Sequence, residues 1–153
     1  MPNESLTPEL NVTEYLKQRF PFLMVDRVLS WEKGGKLRAV KSVSVNEFYF
    51  QGHFPQYPMF PGVLTVECFA QTAAILVRLT ELTEGSAQED LLDVIGTILE
   101  FRFLKPVFPG DRLETEVSIT KTVGKNRIVD GKCFVSGEEV AGGKLVFGKI
   151  QRP

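Results

Sequence analysis

Residues 61–82, PGVLTVECFAQTAAILVRLTEL, decide the fold. Proline suits the first turn of a helix, and polar residues followed by Gly85 end the segment. Apolar side chains lie on nearly all sides of this predicted helix, which is typical of a helix inside a core rather than on a surface. Ala70, Ala73 and Ala74 leave room for another element to approach it closely.

Segments predicted to be strands precede and follow this helix in the sequence. Gly34-Gly35 predicts the turn of a hairpin, and residues 113–120 alternate apolar and polar side chains, as in a half-buried strand. The predicted strands are 23–31, 36–45, 94–104, 113–120, 127–135 and 140–150. Antiparallel strands and one long helix require the sheet to wrap around the helix, so we expect an α+β fold.

The length of 153 residues favours a single domain. Residues 1–11 are polar with two prolines, and we expect a flexible tail there and one domain over residues 12–153. A short helix is predicted over residues 12–19, where Pro21 stops it.

The overall charge is balanced, with 18 Lys and Arg against 19 Asp and Glu, which gives no reason to expect nucleic acid or an anionic membrane as a partner. The chain opens without the basic and apolar regions of a signal peptide, and no uninterrupted apolar stretch is long enough to span a bilayer. Cys68 and Cys133 lie in apolar segments, so we expect buried thiols in a reducing compartment, the cytoplasm. One histidine and two distant cysteines form no recognisable metal site.

Residues 46–61 are dense in aromatic side chains and prolines, and this composition predicts an ordered loop that shapes a site. The loop contains His53, which is the only histidine. An imidazole between apolar walls stays neutral and can accept a proton. The alternative for His53 is a hydrogen-bonded structural role.

Glu67 lies on the apolar helix, where a carboxyl is costly unless it is used or paired. Gln71 follows four residues later on the same face and can orient the carboxyl by a hydrogen bond. Desolvation would raise the pKa of Glu67 towards the range in which it donates a proton. The alternative for Glu67 is an ion pair or a polar edge.

Gly62 begins the helix and has no side chain to block its amide, so free amides and the helix dipole can hold an oxyanion there. Gly62, Gln71, Phe54 and Val63 are predicted to contact the substrate. A base, a proton donor and an oxyanion site together suit the elimination of water from a 3-hydroxyacyl thioester. Cys68 is a weaker candidate for a nucleophile, because the chain has no second histidine.

Four segments of the chain resemble FabZ-type 3-hydroxyacyl-acyl-carrier-protein dehydratases. They are residues 16–28 (LKQRFPFLMVDRV), 43–61 (VSVNEFYFQGHFPQYPMFP), 62–71 (GVLTVECFAQ) and 102–111 (RFLKPVFPGD). They occur in the family's order, and the GHFP and PGVLxxExxAQ blocks together are highly specific.

The resemblance implies a hotdog fold and a homodimer, or a trimer of such dimers, with the active site at the dimer interface. His53 of one subunit would be the base facing Glu67 of the other, and Gly62 would bind the thioester carbonyl. The substrate would be carried on the phosphopantetheine of an acyl carrier protein, and no metal or redox cofactor is implied.

This chain departs from the family pattern at Phe48, Gln56 and Leu99, and in its residues 16–19. Several of these positions flank the pocket loops, so fatty-acid synthesis and specialised polyketide or acyl-chain assembly both stay open as the pathway. Two other functions also stay open: a hotdog thioesterase that uses Glu67 to activate water, and a non-catalytic subunit that binds acyl carrier protein.

Overall fold

The computed structural model describes residues 9–153. Its helices are α1 (Val12–Tyr15) and α2 (Gly62–Glu84), with a short 3-10 turn at Phe48–Gln51. Its strands are β1 (Arg27–Trp31), β2 (Lys36–Ser42), β3 (Leu91–Phe103), β4 (Arg112–Val123), β5 (Asn126–Val135) and β6 (Glu138–Gln151). The predicted order of a hairpin, one long helix and four strands is confirmed.

The six strands form one antiparallel sheet in the order β1-β2-β4-β5-β6-β3. Helix α2 packs against strands from both halves of this sheet, namely β2, β3, β4 and β5. A sheet that contacts one helix from so many strands must curve around it, and this arrangement is the predicted α+β hotdog fold. Strands β1 and β3 are the two edges.

Helix α2 begins after Pro61 and ends at Gly85, whose φ of 73° allows its amide to donate back to the carbonyls of Glu81 and Leu82. The helix centre is fully enclosed, and Phe69, Ala73, Ile75 and Val77 have 0% exposure. The prediction of a core helix is therefore confirmed.

Two glycines that pair with each other lie in crowded parts of the sheet. Gly131 on β5 pairs with Gly143 on β6, and a Cβ on Gly131 would lie 2.9 Å from the ring of Phe69. A Cβ on Gly143 would lie 2.1 Å from the carbonyl oxygen of Glu100 on β3. Side chains at either position would collide with neighbouring atoms. Gly131 therefore allows β5 to lie against Phe69 of the helix, whereas Gly143 allows β6 to lie close to the backbone of β3.

The amino-terminal segment differs from the prediction. Helix α1 spans only Val12–Tyr15, because Leu16 turns to an extended conformation and buries its side chain in the core. Leu10 also packs against the core, and Asn11 caps α1 through its side chain. The rest of the predicted tail, residues 1–8, lies outside the described residues.

Both cysteines are buried and free, as predicted. Helix α2 is long and apolar enough, by length and composition alone, to cross a membrane, which the sequence analysis did not anticipate. Within the protein 61% of its most apolar window is buried, which is also the pattern of a core helix.

Candidate active site

The aromatic loop before α2 starts from a buried ionic cluster. The Lys41 ammonium on β2 lies 2.5 Å from the Glu47 carboxylate, which also accepts a hydrogen bond from the Tyr49 hydroxyl. Lys41 is 8% exposed, so this ion pair is largely shielded from water. The cluster ties the beginning of the loop to the sheet.

His53 is held by the backbone of its own loop. Its Nδ1 lies 2.7 Å from the carbonyl oxygen of Met59, and its carbonyl accepts from the Met59 amide at 3.0 Å. A carbonyl can only accept, so Nδ1 carries the hydrogen and Nε2 of the neutral ring is left as an acceptor. The ring stacks on Phe54 at a centroid distance of 4.1 Å. The imidazole is therefore oriented, half-buried and able to take a proton at Nε2.

The Glu67 carboxyl is half-buried on α2, and burial raises its pKa above the ordinary value of 4.5. The Gln71 amide donates to Oε1 of Glu67 at 2.7 Å and offsets part of that rise by stabilising the charged form. The predicted contact between these two side chains is confirmed. A carboxyl with a raised pKa holds its proton to higher pH and can act as an acid.

Backbone hydrogen bonds hold the Gln71 side chain in place. Its oxygen accepts from the Met24 amide at 2.7 Å, and its nitrogen also donates to the carbonyl of Phe22 at 2.8 Å. The segment before β1 therefore closes over this side of α2 and buries Gln71 completely.

The first turn of α2 is open towards solvent at Val63, which is 75% exposed, and half-covered at Gly62. A Cβ on Gly62 would lie 3.1 Å from the ring of Phe103 on β3, so a larger residue would press against that strand. Leu64 and Thr65 donate to the carbonyl of Pro61. The amides of Gly62 and Val63 precede the regular helical bonding and are the natural donors to a ligand.

The structure places Phe54 at the surface, with 45% of its side chain exposed. Glu67 and Gln71 are in direct contact, whereas within residues 9–153 His53 makes no hydrogen bond to Glu67. The described range contains no group of three or more His, Cys, Asp or Glu placed to hold a metal ion.

Three parts of this site were missed by sequence reasoning. Two of these parts are backbone groups, which a sequence pattern cannot predict because every residue supplies the same atoms. They are the carbonyl of Met59 and the backbone groups of Phe22 and Met24. The Lys41–Glu47 pair did have a signal, since a carboxylate inside an aromatic loop needs a partner.

The sequence matches the model of the FabA-like domain over residues 16–147. The chain belongs to this family. A 3-hydroxyacyl-[acyl-carrier-protein] dehydratase FabZ from Listeria welshimeri is 39% identical over 93% of this chain and 95% of its own length. A FabZ from Actinobacillus pleuropneumoniae is 42% identical over 92% of this chain and 91% of its own length. The FabA-like relatives thus match the chain almost from end to end.

Solved structures support the fold of this FabA-like chain. The dehydratase heterocomplex ApeI:P from Xenorhabdus doucetiae contains a chain with a TM-score of 0.69 and 17% identity, covering 94% of this chain and 91% of that one. The PaaI protein of E. coli has a TM-score of 0.61 and 16% identity, covering 84% and 80%. At these identities the likeness concerns the fold.

Proposed function

We propose that this protein is a 3-hydroxyacyl-[acyl-carrier-protein] dehydratase of fatty-acid synthesis that works in the cytoplasm. The observation that carries the proposal is the half-buried Glu67 carboxyl, whose pKa is raised by burial while Gln71 holds it in place. A hydroxyl group leaves as water only when an acid gives it a proton, and a carboxyl with a raised pKa can be that acid. The relatives named FabZ, which match more than nine-tenths of the chain, support the same reaction.

In the proposed reaction Nε2 of His53 removes a proton from C2 of the substrate, and the C2–H electrons form the C2–C3 double bond. The C3–O bond breaks as Glu67 gives its proton to the leaving hydroxyl, which departs as water. The amides of Gly62 and Val63 stabilise the charge that develops on the thioester oxygen. The proton gained by His53 balances the proton lost by Glu67, so no cofactor enters the proposal.

A homodimer is part of the proposal, with His53 and Glu67 of one active site contributed by different subunits. Strand β3 supports the dimer, because it is a 13-residue edge strand that, among residues 9–153, pairs only with β6. It leaves Ile98, Leu99 and Phe103 each more than half exposed. A long apolar edge invites pairing with another strand, and a second copy of β3 offers the same unpaired groups. Three such dimers would form the hexamer that the resemblance also allows.

The experiment is incubation of the purified protein with 3-hydroxyacyl chains on acyl carrier protein, followed by mass spectrometry. Loss of one water with the acyl chain still attached is the expected result. Release of free thiol without enoyl product would instead indicate a thioesterase, and binding without either product would indicate a carrier-binding subunit. Light scattering on the same sample should give the mass of a dimer or a multiple of it.

A further inference from the structure

The Glu47 carboxylate accepts three hydrogen bonds at the beginning of the aromatic loop. Its Oε1 accepts from the Lys41 ammonium at 2.5 Å and from the Ser44 amide at 3.4 Å. Its Oε2 accepts from the hydroxyl of Tyr49. The Glu47 side chain is 19% exposed, so water competes little for these bonds. The proposed reaction uses none of these residues, yet they lie only a few positions before His53.

A tight backbone turn connects Glu47 to His53. Glu47 precedes the 3-10 turn Phe48–Gln51, and the Gly52 amide closes this turn by donating to the Tyr49 carbonyl at 3.2 Å. His53 is the next residue in the chain. Because hydrogen bonds fix the backbone between them, a displacement of Glu47 would also displace the imidazole.

The Tyr49 ring connects the two ends of the loop segment that contains His53. It meets the ring of Phe60 edge to face, with a centroid distance of 5.6 Å. Phe60 is 3% exposed, and its amide donates to the Val107 carbonyl at 2.7 Å. Phe60 also directly follows Met59, whose backbone holds the His53 ring. The contact between Tyr49 and Phe60 therefore closes the loop segment that orients the imidazole.

We propose that Glu47 is a positioning residue for His53 and acts through Tyr49. The inference rests on the proposed function, in which His53 is the base. Lys41 fixes the Glu47 carboxylate to β2, the carboxylate holds the Tyr49 hydroxyl, and the Tyr49 ring packs against the far end of the loop segment. The loop then keeps Nδ1 of His53 against the Met59 carbonyl and leaves Nε2 free to take the proton.

The first test compares kcat and KM for enoyl formation in wild type, Tyr49→Phe, Tyr15→Phe and the double variant Lys41→Met/Glu47→Leu. The double variant replaces both charges, because removal of one would leave the other buried and unpaired. Its kcat should fall about 10- to 100-fold with little change in KM, because a small displacement of a reacting group slows the chemical step. Tyr49→Phe keeps the ring contact with Phe60 and should show a smaller loss in the same direction. Tyr15→Phe is the matched control, because Tyr15 packs against the core from α1, outside the loop, and should keep the wild-type values.

The second test observes the ring nitrogens of His53 by NMR. His53 is the only histidine, so its signals are unambiguous. At about pH 8, where an ordinary histidine is neutral, the wild type should carry its hydrogen on Nδ1. The double variant and Tyr49→Phe should both show a share of the tautomer with the hydrogen on Nε2, because the ring is held less firmly against Met59. Partial unfolding alone would lower kcat but would leave the tautomer of the remaining folded protein unchanged.

An unchanged kcat, or an unchanged tautomer, in the folded double variant would overturn the role of Glu47. If the double variant does not fold, Tyr49→Phe carries both measurements, and wild-type values in either of them count against the proposal. The NMR measurement needs no substrate. Failure of the wild type to form any enoyl product would therefore refute the proposed function, while the tautomers would still decide whether Glu47 holds the ring.

Discussion

Gln71 donates a hydrogen bond of 2.7 Å to Glu67. Backbone groups that bind the Gln71 amide determine which of its two polar atoms faces the carboxyl. The Gln71 oxygen is occupied by the Met24 amide, so the nitrogen has to face the carboxyl. Gln71 can therefore donate to Glu67 whether that carboxyl is protonated or charged. In the proposed reaction the Glu67 carboxyl would therefore keep one orientation on both sides of the proton transfer.

Glu67→Gln should keep the fold and lose most of the turnover. The amide oxygen of the substitute can still accept from Gln71, but the group has no acidic proton to give. We expect the rate of enoyl formation to fall on the order of 100-fold or more. Glu84→Gln is the matched control, because Glu84 lies on the same helix, half-exposed, at the end away from Gly62. Near-normal dehydration by folded Glu67→Gln would assign the proton donor elsewhere.

The same variant should change how stability depends on pH. Burial raises the pKa of Glu67 in the folded protein, so the folded state binds this proton more tightly than the unfolded chain does. The contribution of Glu67 to the free energy of unfolding is therefore largest below pH 4.5, the pKa of this carboxyl in the unfolded chain. The contribution falls as the pH rises towards the pKa in the folded protein. The free energy of unfolding of Glu67→Gln, relative to wild type, should increase over that interval and then level off. Urea unfolding from about pH 4 to about pH 8 measures it, and a difference that does not vary with pH would contradict the raised pKa.

Gln71→Met should destabilise the protein and raise the pKa of Glu67 further. Methionine fills a similar space but leaves the Met24 amide and the Phe22 carbonyl without their partners. The loss should be about 1–3 kcal/mol in the free energy of unfolding. The pH interval over which Glu67 affects stability should extend upwards, because the charged carboxylate loses its donor. An unchanged free energy of unfolding would mean that water replaces Gln71 in these contacts.

Mixed subunits test whether His53 and Glu67 meet across a dimer interface. His53→Ala and Glu67→Gln should each be nearly inactive alone, since no other histidine replaces His53. After dissociation and reassembly of the mixture, each heterodimer would contain one intact and one doubly altered site. About half of randomly paired dimers are heterodimers, so activity should return to about a quarter of wild type. Verified heterodimers without activity would exclude a shared site.

Gly143→Ala should be strongly destabilising, since its Cβ would lie 2.1 Å from the carbonyl oxygen of Glu100 on the neighbouring strand. Backbone atoms cannot move aside as a side chain can, and we expect a loss of about 3 kcal/mol or more. Gly148→Ala on the same strand is the control, because its nearest atom is the side-chain oxygen of Asn126 at 3.3 Å. Denaturant unfolding should show a much smaller loss there.

The sequence was most informative where a pattern is local. Two predictions depend on helix geometry alone, and both are confirmed. Helix α2 is buried in the core, and Glu67 contacts Gln71, four residues later on the same face. The partners of His53 and Gln71 come from backbone groups of segments folded against them, which no side-chain pattern reveals. The predicted helix over residues 12–19 was too long, because burial of Leu16 outweighs local helix propensity. The roles of His53, Gly62, Phe54 and Val63 stay predictions, and the experiment with mixed subunits tests the role of His53.

The paired glycines of β5 and β6 limit which positions of this scaffold can vary. A Cβ on Gly131 would lie 2.9 Å from the ring of Phe69 on α2, and a Cβ on Gly143 would lie 2.1 Å from the Glu100 carbonyl oxygen on β3. Neither the core ring nor the strand backbone has room to move aside. An engineer who diversifies the sheet of this protein should therefore keep these two glycines constant.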